Sequence, residues 1–221
     1  MKRKHMDMAS KSEKKPTVEG LQAGEKLSSR ERLLNAGKNL FAKNGYERTS
    51  TLEVARAAGT SESQLMKHFG SKEGLLEALF DKGWSPLTAF LLAMPAIPSG
   101  RQKLQLLLEA VLTTLDRDPQ LKQIMLLEGR RVRKEGHVIR VAGPYMKIVE
   151  QMDAILAEMR ATGELRNDLS LQAVRSAIAG MFESLIRDQV LAERINFPAR
   201  YSADDIKKIL PVVLAAFRPN S

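Results

Sequence analysis

The sequence predicts an all-α fold in two unequal parts, an N-terminal three-helix helix-turn-helix domain over residues 28–84 and a larger helical domain over 85–221. Three observations predict it. From Thr51 to Phe69 the chain has the spacing of two short helices crossing at a tight turn. Apolar residues recur three and four apart through most of the chain beyond Phe69, the period of amphipathic helices. At 221 residues, 43% of them hydrophobic, the chain can supply one large or two small soluble cores.

Residues 1–27 show no apolar period. Lys2, Arg3, Lys4, Lys11, Lys14, Lys15 and Lys26 stand against Asp7, Glu13, Glu19 and Glu25, seven cations less four carboxylates giving +3, and the stretch reads as a flexible basic arm. Such an arm either adds phosphate or minor-groove contacts beside a DNA-binding domain or is a solvated extension. Ser28 with Glu31 forms a capping box that opens the first helix, whose Leu33, Gly37, Leu40 and Phe41 share a face, and Asn44-Gly45-Tyr46 closes it as an αL cap. Ser50 with Glu53 opens the second helix, and Ser61 with Gln64, or Thr60 itself, opens the third. Between them Ala55 is small enough to lie beneath the crossing helix, and Gly59 supplies the positive φ of the turn. Val54, Ala58, Leu65 and Phe69 point into a shared core. That leaves Thr60, Glu62, Ser63, Gln64, Lys67 and His68 on a polar edge suited to a DNA major groove. Ser71 caps a further helix through Leu75, Leu76, Leu79 and Phe80, with Lys72 beside its positive end, where a phosphate is welcome.

Pro86, Pro95 and Pro98 mark a broken connection, after which Leu104, Leu107, Leu108, Val111, Leu112 and Leu115 give a strong three-four repeat. Asp118-Pro119 starts another helix through Ile124 and Leu127 toward Gly129. One more begins near Gly143-Pro144, carries Ile148, Val149, Met152, Ile155, Leu156 and Met159, and ends near Thr162-Gly163. The last two helices carry Val174, Ile178, Met181, Phe182, Leu185 and Ile186, then Ile206, Ile209, Leu210, Val213, Leu214 and Phe217. Pro211 should bend the final helix or cost it a hydrogen bond. Ala173, Ala177, Gly180 and Ser184 form a small-residue stripe that permits close approach on one side while large residues pack on another. Two buried faces need two partners, so an oligomer interface is expected, comprising Ala173, Ala177, Gly180, Met181, Ser184, Ile206, Leu210, Val213 and Phe217; the alternative is burial within one subunit.

The run Leu40-Phe41-Ala42-Lys43-Asn44-Gly45-Tyr46-Glu47-Arg48-Thr49-Ser50, then Glu53-Val54-Ala55, Ala58-Gly59-Thr60-Ser61, His68-Phe69 and Ser71-Lys72-Glu73-Gly74-Leu75-Leu76, resembles the DNA-binding domain of the TetR family of transcriptional regulators. The match stays in register from Ser29 to Phe80 and beyond that is one of architecture only. The resemblance implies a ligand-responsive transcriptional regulator, a repressor that binds a palindromic operator in double-stranded DNA as a homodimer and is released by an unidentified small-molecule effector. It assigns the C-terminal helical domain to ligand binding and dimerisation. It assigns base reading to Glu62, Ser63, Gln64 and Lys67, with Thr60 and Ser61 near the groove, and backbone contacts to His68, Lys72, Thr49 and Thr51. The sequence departs from the family at Ser63, where glycine is common, and at Met66, where an aromatic residue often meets a phosphate. Gln64 has the amide that pairs bidentately with adenine; Lys67 can donate to guanine or a phosphate; Glu62 either accepts from cytosine or is a solvated carboxylate at a helix N-terminus.

Composition agrees with a polyanion partner: the net charge is +9 and the pI near 9.8, although charge alone equally permits a membrane surface or an acidic protein. There is no cysteine, hence no disulfide, thiolate metal site or thiol chemistry. No apolar run is long enough to span a membrane, and Met1-Lys2-Arg3-Lys4-His5 is not followed by a signal-peptide core, so a cytoplasmic protein without membrane association is expected. His5, His68 and His137 lack a metal spacing and no glycine-rich phosphate loop is present; no enzyme, metal or cofactor is expected. A helical enzyme, and a DNA-bound scaffold acting on a protein partner, remain the alternatives. Trp84, Phe90, Met94, Met125, Met146, Met152 and Phe182 suit an adaptable apolar effector pocket or else are plain core. Arg130-Arg131-Val132-Arg133-Lys134, with His137 and Arg140, reads either as an anion-attracting run or as a solvated loop face.

Overall fold

Every regular element among the described residues, 27–128 and 143–219 of a computed structural model, is helical. The helices are α1 (Ser29–Asn44), α2 (Thr51–Ala57), α3 (Glu62–Phe69), α4 (Lys72–Ala93), α5 (Gly100–Asp116), α6 (Pro119–Glu128), α7 (Gly143–Ala161), α8 (Leu171–Ile195) and α9 (Ala203–Ala216), with a 3-10 turn at Met94–Ala96. The basic arm before Leu27 and the run from Arg130 to Arg140 lie outside the described residues.

Local chemistry sets the first four boundaries. Both capping boxes form: Ser28 and Ser50 each accept from the backbone N–H three residues on, while Glu31 and Glu53 reach back to the cap N–H groups. Ser61, rather than Thr60, caps α3 and accepts from Gln64 N; Ser71 caps α4 and accepts from Gly74 N at 2.9 Å. Gly59 takes φ +62° at the turn, as the spacing requires. The end of α1 differs from expectation: Asn44 stays helical, and Gly45 adopts φ +82° with ψ 155° instead of αL, its N–H still closing on the Phe41 carbonyl. Leu33, Phe41, Tyr46, Val54, Leu65, Leu75, Leu76 and Phe80, each at most 2% exposed, form the core of this head.

The expected break at Pro86 is absent. Helix α4 runs 22 residues through it to Ala93, so the division after Trp84 falls inside one continuous helix. Proline has no N–H for the Lys82 carbonyl, and Ser85 Oγ donates to that carbonyl at 3.0 Å in its place. The chain breaks later, at the 3-10 turn and Pro98. Likewise α9 continues through Pro211.

Helices α5, α7, α8 and α9 enclose a second core of Leu104, Leu107, Leu112, Ile155, Leu156, Ile178 and their neighbours. Helix α6 is shared. Its Leu121 and Ile124 pack into the head core, Lys38 Nζ lies 2.6 Å from Asp118 Oδ2, and Gln123 Nε2 donates to the Ala42 carbonyl at 2.7 Å. Full burial of each aliphatic side chain is worth about 1.5–3 kcal/mol and the part-exposed ion pair about 0–1 kcal/mol, so apolar packing holds α6 to the head. Gly83 permits its close approach: a Cβ there would stand 2.8 Å from Leu121 Cδ2.

Candidate nucleic-acid interface and small-molecule cavity

Helix α3 buries Leu65 completely and exposes Glu62, Ser63, Gln64, Met66 and Lys67, which form the outer edge of the head next to the capped start of the helix. Thr60 and His68 are half-buried at its two ends, and Ser61 is exposed as the cap. Thr51, at the start of α2, donates to the Glu62 carboxylate, so this exposed acid is held by the neighbouring helix. His68 Nε2 shares a hydrogen bond of 2.8 Å with Ser29 Oγ, and Arg30 lies 5.3 Å from the Phe69 ring centroid, which pins the end of α3 to the start of α1. Lys72 Nζ sits 4.2 Å above the Tyr46 ring centroid and Tyr46 donates to Glu73 Oε1 at 2.7 Å; the Lys72 stem is thereby oriented at the N-terminus of α4. Hydrogen bonds from Ser50 hold the Glu53 carboxyl below its usual range, with Arg56 and Lys72 adding to the effect.

Thr49 is the exception among the ten residues expected to meet DNA. It is 1% exposed, and its hydroxyl donates to the carbonyls of Gly45 at 2.9 Å and Leu40 at 3.3 Å. It therefore ties the loop after α1 instead of facing a phosphate. Gly74 has a structural role that its sequence neighbours do not disclose: a Cβ there would lie 2.0 Å from the Phe69 carbonyl oxygen, so only glycine lets α4 start directly behind the end of α3.

A cavity of about 380 Å³ opens between α4, α5, α6, α7 and α8. This is within the range of small-molecule sites, about 300–1,000 Å³. Of the seven large residues expected around an effector, Trp84, Met125, Met152 and Phe182 line it. Met94 does not: it is 1% exposed in the C-terminal core. Phe90 packs half-buried against that same core, and Met146 is 48% exposed. Phe80, Val111, Leu115, Tyr145, Ile148 and Ile186 complete most of the apolar wall, with Trp84 and Tyr145 rings 5.6 Å apart. Sequence reasoning misses these, although Leu108, Val111 and Leu115 already share a face of α5. The polar wall groups are Arg175, which is paired with Asp153, together with Ser176 and Glu183.

On α8 the small stripe divides. Ala173 and Ala177 are exposed, Met181 and Ser184 half-buried, and Gly180 stands on the cavity wall, where an added methyl group would meet nothing within 4 Å. On α9 Ile206 and Leu210, expected at the subunit interface, are each 1% exposed inside the protomer core, because that face of the helix packs on α5 and α8. Val213 and Phe217 are half-buried. The large apolar residues that α9 exposes are Ile209 and Val212.

Among the described residues no cluster of three or more His, Cys, Asp or Glu could hold a metal, and no helix is long and apolar enough to cross a membrane. Residues 33–79 match the family of bacterial regulatory proteins of the tetR family, and residues 92–211 match the C-terminal region of YsiA-like proteins. The chain is 32% identical over 145 residues to the nucleoid occlusion factor SlmA of Shewanella amazonensis, covering 62% of this chain and 70% of that one. It is 23% identical over 165 residues to the fatty acid metabolism regulator protein of Bacillus subtilis, covering 73% and 84% respectively. The fold superposes on the transcriptional regulator FadR of Bacillus subtilis in complex with stearoyl-CoA with a TM-score of 0.67, at 21% identity over 85% of this chain and 97% of that one. With its helix-turn-helix head and its helical C-terminal domain both matched, the chain belongs to the TetR family of bacterial transcriptional regulators.

Proposed function

We propose that the protein is a repressor that binds a palindromic operator as a homodimer, with α3 of each protomer in a major groove, and that a largely apolar small molecule releases it. The observation that carries this reading is the sharing of α4 and α6 between the two sites. Phe80 and Trp84 of α4 and Met125 of α6 line the cavity, while Leu79, Leu121 and Ile124 of the same helices pack into the head. A ligand that favours a different spacing of α4 and α6 moves the head with them. Two heads reading half-sites about 34–36 Å apart then lose simultaneous contact.

In this reading Gln64 and Lys67 contact bases, Glu62 is aimed by Thr51, and Ser29, His68 and Lys72 steady the backbone side of the interface. Two protomers meet through α8 and α9, with Ala173, Ala177, Ile209 and Val212 on the joined faces. The Bacillus subtilis regulator with stearoyl-CoA makes a long acyl thioester the first effector class to test, and the apolar wall around Trp84 and Met152 suits such a chain. The defining experiment selects sites from random duplex DNA with purified protein at fixed, near-physiological salt, then titrates stearoyl-CoA. A palindromic enriched site, with ligand and operator each weakening the other by the same factor, supports the proposal. Equal ligand affinity for free and operator-bound protein overturns release by that ligand, and absence of enrichment overturns specific recognition.

A second reading draws on the relative named as a nucleoid occlusion factor. Here the DNA-bound dimer acts on a protein partner. Copurification of one partner with the operator complex, and no response to any acyl compound, favours it.

A further inference from the structure

We propose that a second crevice, where α1, α4 and the α5–α6 corner meet, binds a compact organic anion with a ring-sized apolar body. It has a volume of about 180 Å³ and shares no lining residue with the larger cavity. Leu34, Leu79 and Leu121, none more than 9% exposed, make an apolar floor, with Gly83 also on the wall. A dry apolar cavity of about 150 Å³ is known to hold a benzene ring, so one ring with a small substituent fits this space. The rim has the opposite character. Lys38, Lys82 and Arg117 line it against one carboxylate, Asp118, which is already bonded to Lys38 at 2.6 Å.

Lys82 and Arg117 are both exposed and form no ion pair among the described residues. Three cations and one carboxylate leave the rim at +2, which favours anionic oxygen there, while the floor favours apolar surface. A molecule with either half alone satisfies half the site. Asn35 and Thr114 add hydrogen-bonding groups between floor and rim. The position gives the site a consequence. Its walls come from the head through Leu34 and Lys38, from the connecting helix through Leu79 and Lys82, and from the effector domain through Thr114 and Arg117. An occupant touches all three and resists their relative movement, which makes the crevice a second input to the same junction. The proposal rests on this junction and not on the repressor reading.

The test uses the full chain and phenylphosphate as probe, with inorganic phosphate and benzyl alcohol as its two halves, titrated by calorimetry or ligand-observed NMR. Saturable one-to-one binding of phenylphosphate is expected, at least about tenfold tighter than either half. The double variant K82E/R117E should lose about tenfold or more in affinity, and A179W, altered at a wall residue of the larger cavity, should still bind phenylphosphate saturably and one-to-one. Should charge reversal impair folding, as judged by thermal melting, K82Q/R117Q serves instead. Equal binding of inorganic phosphate, retained affinity in the cation variants, or loss of binding in A179W would each overturn the proposal.

Discussion

Replacing Gly74 by alanine drives a methyl group into backbone. The added Cβ would stand 2.0 Å from the Phe69 carbonyl oxygen and 3.1 Å from its carbon, where Cβ contacts below 3.0 Å are essentially never found. The groups must therefore part by about 1 Å, and because the obstacle is main chain no rotamer change relieves it. Overpacking of this kind costs about 1–3 kcal/mol, against about 0.5–1 kcal/mol gained by replacing a helical glycine with alanine. The net loss, up to about 2.5 kcal/mol, lowers the melting temperature of a chain this size by up to about 10 °C. Phe69 is also the last residue of α3, so the reading helix moves with it. A hydrogen bond tolerates a donor–acceptor range of only about 0.5 Å, and a bidentate base contact is worth about 1–3 kcal/mol, so operator affinity should fall about 10- to 100-fold. Thermal melting and DNA binding at fixed salt measure the two effects. The internal control is Gly180→Ala, where the new methyl meets nothing within 4 Å and stability should hold or rise. A Gly74→Ala variant that melts no lower than the parent and binds DNA unchanged would refute the assignment of this contact.

Gln64→Ala should lose about 1–3 kcal/mol of discrimination at one base position, whereas Lys72→Ala should weaken all sequences and reduce the salt slope by about one; equal, sequence-independent losses from both would remove the division of roles. Ala179→Trp, at a wall residue of the large cavity, should fill it as a ligand would, so operator affinity should fall and no longer respond to stearoyl-CoA, as read by fluorescence anisotropy with labelled operator. Burial works to raise the pKa of Glu164, but hydrogen bonds from Arg101 N, Ser99 Oγ, Thr162 Oγ1 and Gly100 N outweigh it and hold the carboxyl below its usual 4.5. Its stabilising contribution is thus present above the unfolded value and lost as pH falls through the lowered native one, so Glu164→Gln should melt below the parent near neutrality and the two curves should converge on acidification below about pH 4.

The head is legible in the sequence because its signals are local. Ser28 with Glu31 and Ser50 with Glu53 settle their boundaries within four residues, and Gly59 can be assigned its turn from spacing alone. Pro86 misleads for the complementary reason. A proline usually breaks a helix, but here Ser85 satisfies the freed carbonyl and packing on both sides keeps α4 continuous. Thr49 escapes the same kind of reading because burial is a tertiary property: nothing in its neighbours along the chain says that the Leu40 carbonyl will be within reach. The larger cavity is half legible. Trp84, Met125, Met152 and Phe182 stand out by size, whereas Val111, Tyr145 and Arg175 become wall residues only once five helices are assembled. On α9 the periodicity correctly marks an apolar face through Ile206 and Leu210 but cannot say whether its own subunit or a partner covers it.

Under the proposed release mechanism, the shared helices would let a ligand in the cavity act on the head with modest energy. A tenfold change in operator affinity needs a differential of about 1.4 kcal/mol between the two states. That is less than the worth of one fully buried leucine or isoleucine, and α6 contributes two, Leu121 and Ile124, to the head core. The head is thus fastened to α6 far more strongly than the signal needs, so when α6 moves the head follows instead of detaching. The cavity side is looser. Met125, one residue beyond Ile124, is a half-buried, flexible thioether on the cavity wall, and Val111 and Trp84 on the same wall are also half-buried. Stiff attachment at one end of α6 and adaptable packing at the other is the arrangement in which filling the cavity displaces the helix and not merely the side chains around the ligand. Because α4 continues through Pro86, it adds a second rigid arm to the same head, and in the proposed mechanism the two arms together would convert a local change of packing into a change of orientation.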